Sequence, residues 1–149
     1  MRGELSLRQQ TLLVFLNSDP PRELDPVRIM KALFVFAMEM PGALPAGGVY
    51  EFVPYHWGPY SPQIYGDLDS LTYAGYITAT RREERSWKYY SITPQGVALA
   101  HSIAETFDPK AVEYLNRLRE FVTQLSFSQL LVKIYERYPA YAVKSVFQY

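Results

Sequence analysis

Four basic side chains fall close together in this sequence, Arg81, Arg82, Arg85 and Lys88. Guanidinium and ammonium groups at such density suit phosphate oxygens, as planar forks or point charges, so the chemistry on offer is anion binding. Glu83 and Glu84 sit among them and leave two net positive charges. Asp67 and Asp69 form a second charged set. Two positions apart on a helix they point in different directions, so they are no catalytic carboxylate pair. The two histidines, His56 and His101, have no Ser or Asp partner suggested by spacing. Cysteine is absent, which removes disulfides, thiolate nucleophiles and Cys-containing zinc sites. Gly47-Gly48 lacks the pattern of a phosphate-cradling loop. Catalysis, metal binding and cofactor binding are therefore not expected.

The aromatic residues offer a third chemistry. They make up 15% of the chain, and Tyr50, Phe52, Tyr55, His56, Trp57, Tyr60 and Tyr65 lie in one segment. Such a run can stack bases or line a pocket. No basic residue interleaves it, so packing against the second helix is the expectation.

Composition sets the frame for these groups. With 149 residues, 48% hydrophobic, the chain is long enough for one sizeable core. Formal net charge is zero, giving no global attraction to a polyanion. Along the chain the charge is uneven: no basic residue separates Lys31 from Arg81, while Glu39, Glu51, Asp67 and Asp69 lie between them. The apolar run 32–38 is too short to span a bilayer. Glu4, Arg8, Gln9 and Gln10 interrupt any leader-like stretch, so a cytoplasmic location is expected.

Proline marks where the positioning elements begin. Asp25-Pro26, Ser61-Pro62, Thr93-Pro94 and Asp108-Pro109 each place an oxygen-bearing cap before a proline that needs no N–H partner. A first helix is expected over 5–17, with Leu5, Leu12 and Leu16 on one face, and a second over 26–40. A loop follows over 41–48, then a short strand over 50–55 held to an edge by Pro54. The third helix, 62–74, buries Ile64, Leu68 and Leu71 and closes at Gly75. A hairpin follows, 76–82 with 87–93, across a polar turn. A short fourth helix ends near Thr106. Ala111, Leu115, Leu118, Val122 and Leu125 mark a longer helix, and Leu130, Leu131 and Ile134 the next. A last helix over 140–149 carries Val143, Val146 and Phe147.

This order implies an α+β, mainly helical fold: a winged helix-turn-helix with a three-stranded small sheet and appended C-terminal helices. The winged-helix unit spans 1–107. The extension over 108–149 packs on it or makes a homodimer. Gly75-Tyr76-Ile77, and Tyr90 to Gly96 after the hairpin, resemble the closing pattern of many bacterial regulators of this type. The segment from Phe52 to Tyr65, running into Asp67-Leu68, resembles the YwgA-like bacterial winged-helix proteins. It is more distantly similar to the Panacea antitoxin domain. Tyr135-Glu136-Arg137-Tyr138-Pro139 with Ser145 looks like the tail of the same group. The resemblance implies a winged-helix fold, and on its Panacea side neutralisation of a partner protein.

Two functions follow. In the first, a dimeric DNA-binding regulator grips phosphates of double-stranded DNA through Arg81, Arg82, Arg85 and Lys88. Gln63 and Ser70 read base edges and Tyr73 touches a phosphate, all on the outward face of the third helix with Gly66 and Asp67. In the second, a protein-interaction module, antitoxin-like or a complex subunit, meets a basic partner through Asp67 and Asp69.

Overall fold

Most of the proline-marked starts hold in the computed structural model, which describes residues 5–45 and 47–146. Among these are six α-helices: α1 (Leu7–Leu16), α2 (Pro26–Glu39), α3 (Gln63–Tyr73), α4 (Pro94–Ala104), α5 (Pro109–Gln124) and α6 (Phe127–Arg137). A 3₁₀ turn, Pro139–Ala142, follows. Strands β1 (Val53–Tyr55) and β2 (Gly58–Tyr60) make one hairpin, and β3 (Ile77–Arg81) and β4 (Lys88–Ile92) another. The class is α+β and mainly helical. Among the described residues no helix is long and apolar enough to cross a membrane. Val143 and Val146 are exposed rather than seated on a last apolar helix, and Phe147 lies outside the described residues.

Three of the four caps form: the Asp25 carboxylate accepts from Arg28 N at 3.2 Å, Thr93 from Gly96 N at 3.0 Å and Asp108 from Lys110 N at 2.9 Å. Ser61 is the exception. Ile64 N donates to the Ser61 carbonyl and Tyr65 N to that of Pro62, both at 3.2 Å, so tight backbone bonds take the donors a cap would serve. The Ser61 hydroxyl is left buried with no hydrogen-bond partner. At its other end α3 closes as expected: Gly75 takes φ +87°, Tyr76 N bonds Leu71 O and Gly75 N bonds Thr72 O.

The expected three-stranded sheet does not form; each sheet has two strands. After β1 the chain turns at Gly58 (φ +88°) and pairs with itself, setting Pro54 opposite Pro59. In an antiparallel ladder two facing prolines fit only a pair that exchanges no backbone bonds. The N–H groups of such a pair point to the sheet edges, where proline has none, so each edge lacks a donor at its central position. The second sheet instead gains one bridge from the chain before α2. Leu24 N donates to Tyr90 O and Tyr90 N to Leu24 O, each at 2.9 Å.

Helix α2 is the centre of the core. Ile29, Met30, Ala32, Leu33, Phe34 and Phe36 are all buried, as is the run Leu12 to Leu16 of α1. The α5 stripe Ala111, Leu115, Leu118 and Val122 is buried within the same chain, in a helix that packs on α1 and α2. It is therefore not a surface that a second copy meets. Arg28 on α2 donates to Val122 O and Leu125 O, both at 3.0 Å, and so caps the α5 C-terminus.

Lys31 is buried in the same helix and donates from Nζ to Pro59 O at 3.1 Å. Burial lowers its pKa to about 7, against an opposing pull from the Asp25 carboxylate. Unfolded, the same lysine keeps its proton to about pH 10.4. Between those values the unfolded chain binds more protons, so stability rises with pH. Urea midpoints measured from pH 7 to pH 9 are expected to climb in the wild type and to flatten in Lys31→Met. Equal slopes would contradict this account of Lys31.

Candidate nucleic-acid interface

The hairpin register decides where its cations go. Ile77 faces Ile92, Ala79 faces Tyr90, and Arg81 faces Lys88. Directly opposed residues of an antiparallel pair share one side of the sheet. Arg81 and Lys88 therefore extend the side on which Ile77, Tyr90 and Ile92 are buried, beyond the edge of the core. Like charges directly opposite one another are destabilising. Glu83 and Glu84 do not relieve this: among the described residues neither forms an ion pair with Arg81, Arg85 or Lys88.

Arg82 behaves differently from its neighbours. Its Nη2 donates to Glu23 Oε1 at 2.7 Å, and its guanidinium lies 3.7 Å from the centre of the Tyr89 ring. The bond to Glu23 raises its pKa further. Arg82 thus ties the hairpin to the segment before α2. Arg85 lies 5.5 Å from the Trp87 ring centre, and Arg81, Arg85 and Lys88 have no carboxylate partner among the described residues.

On α3, Gln63, Ser70 and Tyr73 are exposed, Tyr73 to 96%. Asp67 is not on that face. It is buried, accepting from the Tyr50 hydroxyl at 2.6 Å and from Gln9 Nε2 at 3.0 Å, with Arg8 Nε at 4.0 Å. Burial, then the bond to Asp67, pushes the Tyr50 phenol well above its ordinary value. The reason lies in helical geometry: Asp67 borders the buried Ile64, Leu68 and Leu71 stripe, and Tyr50 reaches it from the preceding loop. Asp67 and Asp69 therefore do not present one outward acidic pair. The exposed carboxylate of α3 is Asp69, where Asp67 had been expected on the outward face.

The aromatic segment divides. Tyr50 is buried, and Phe52 packs edge-on against Phe34 of α2 at 5.4 Å, as core. His56 is exposed and stacks on Tyr55 at 4.4 Å; Tyr55 in turn stacks on Tyr60 at 4.6 Å. Trp57, in the β1–β2 turn, meets Phe127 at the start of α6 at 5.5 Å. Trp57, Phe127 and Tyr65 of α3 then share a groove of about 910 Å³ with Trp87 and Tyr89 of the hairpin. Arg81, Arg85 and Lys88 line the same groove, with the α2 N-terminus from Asp25 to Arg28 and with Asp69. Cations and aromatics far apart in sequence are thereby brought together. Charge reversal along the chain was the available signal, but only the fold shows that the basic block returns to the aromatic one.

A second groove, about 510 Å³, lies between α2, α5 and α6, lined by Val35, Tyr114, Leu118 and Phe121. Its rim holds the Glu39–Arg137 ion pair at 2.8 Å. Among the described residues no cluster of acidic and histidine side chains is placed to hold a metal ion. Searches of protein-family models and of curated proteins find no match to this chain.

Proposed function

We propose that this chain is a winged-helix DNA-binding regulatory protein whose hairpin, rather than α3, supplies most of the affinity. In this reading α1, α2 and α3 form the helical part and β3–β4 the wing, with Leu24 standing in for the third strand. The observation that carries it is the opposition of Arg81 and Lys88, with Arg85 beside them and no carboxylate paired with any of the three among the described residues. A structural hairpin gains nothing from two facing cations; a phosphate between them turns the repulsion into attraction. Withdrawal of Asp67 into the core supports the same reading, because it leaves Gln63, Ser70 and Tyr73 on a less acidic face. The resemblance to bacterial winged-helix regulators points the same way.

Affinity for duplex DNA is expected to fall steeply with salt. Replacing Arg81, Arg85 and Lys88 by Ala should each reduce the log–log slope by about 1. Arg82→Ala should change it less, since Glu23 already neutralises that side chain. Fluorescence anisotropy across a salt series measures both; a slope that none of the three changes would contradict the assignment.

Lys88→Gln provides a check on the repulsion itself. It should raise stability by roughly 0.2–1 kcal/mol while weakening binding. Thermal unfolding of the free protein reads the first effect, and a loss of stability would count against a strained cation pair.

A further inference from the structure

We infer that the groove between α3 and the β3–β4 hairpin takes an unpaired nucleobase, so that the nucleic acid bound there is single-stranded at the point of contact. This rests on the reading that the hairpin cations hold phosphates, and it specifies what lies beside those phosphates.

A duplex hides the faces of its bases. Its bases are stacked on one another, and its outer surface presents phosphates and base edges. Aromatic walls gain nothing from a phosphate. They gain from the face of a base that has left its stack, and every base has such a face. Trp57, Tyr65 and Trp87 come from three different elements, remain 41–43% exposed, and line this one groove. They are joined there by the three cations that have no carboxylate partner among the described residues. A groove of about 910 Å³ lies within the range of roughly 300–1,000 Å³ that holds small organic groups. Rings and cations lining one cleft are the composition that single strands require.

The remaining charges give the site an orientation. Arg28 is engaged by Asp25 and by two backbone carbonyls of the α5 end, so that ion pair is a fixed part of the wall. Asp69 has no cationic partner among the described residues and lies on α3, across from the hairpin cations. A carboxylate repels phosphate and accepts N–H donors, so the backbone runs along the hairpin and the base edge turns towards α3. Cytosine, whose N4 amino group donates from the end of its edge, suits that acceptor better than thymine, whose single N3–H lies between two carbonyl oxygens that repel a carboxylate.

Both tryptophans of the chain are in the groove, which makes intrinsic fluorescence a direct probe. Short oligo(dC), oligo(dT), a blunt duplex and the mononucleotide dCMP are titrated into the full chain. Saturable quenching by the single strands, stronger for oligo(dC), is expected, with the preference lost in Asp69→Asn. By anisotropy of a labelled strand, Tyr65→Ala should weaken single-strand binding about tenfold. Trp87→Ala, at the exposed hairpin, should do the same even if the α3 variant fails to fold. Duplex binding without quenching by either strand would overturn this inference and leave the winged-helix reading standing. No binding to strand or duplex would overturn both. Quenching by dCMP at the concentrations that suffice for the strand would overturn the strand assignment in favour of a free nucleotide.

Discussion

Helix α2 has almost no wet side, and that constraint organises the rest of the molecule. A helix buried round most of its circumference must be enclosed by other elements, and here α5, β2 and β4 do so. Burying Ile29, Leu33, Phe34 and Phe36 stabilises by roughly 1.5–3 kcal/mol for each side chain. The cost falls on the charged residues the same helix carries. Arg28 and Lys31 meet it by donating to backbone carbonyls of other elements, Val122 and Leu125 for the first and Pro59 for the second. Each such bond fixes a neighbour: the end of α5 in one case, the β1–β2 hairpin with its Trp57 turn in the other. The first leads into Phe127 and the second carries Trp57, and both side chains line the groove.

The β3–β4 hairpin is attached to this framework at the middle of β4 and beside its turn. Paired backbone bonds between Leu24 and Tyr90 and the Arg82–Glu23 ion pair join it to the segment that leads into α2. An element held in this way presents its cations without having to order them on binding. The division of labour among the basic residues follows. Arg82 supports the hairpin, while Arg81, Arg85 and Lys88 line the groove without a carboxylate partner among the described residues.

Local signals in the sequence were reliable where one residue acts on its near neighbours. Asp25, Thr93 and Asp108 cap their helices, and Ile64, Leu68 and Leu71 are buried on the face their spacing predicts. Ser61 departs because backbone carbonyls reach the first N–H groups of α3 before its hydroxyl does. What depended on tertiary partners was hidden. Nothing local to Asp67 announces Tyr50 or Gln9, so its inward position was not legible. That Pro54 and Pro59 face each other, leaving both edges of β1–β2 short of a donor, is visible only once the register is known. The groove is the extreme case, since it joins residues from Asp25 to Phe127 and no stretch of chain contains it.

The central claim is that nucleic acid sits against the hairpin cations and the aromatic walls beside α3. Chemical-shift mapping of the isotope-labelled chain, with a short oligo(dC) strand added, tests it most directly. The largest changes should fall on residues 81–88, on the Tyr65 and Asp69 amides, and on the indole N–H signals of Trp57 and Trp87. Changes centred instead on Val35, Tyr114 and Phe121 at the second groove, or no changes at all, would contradict it.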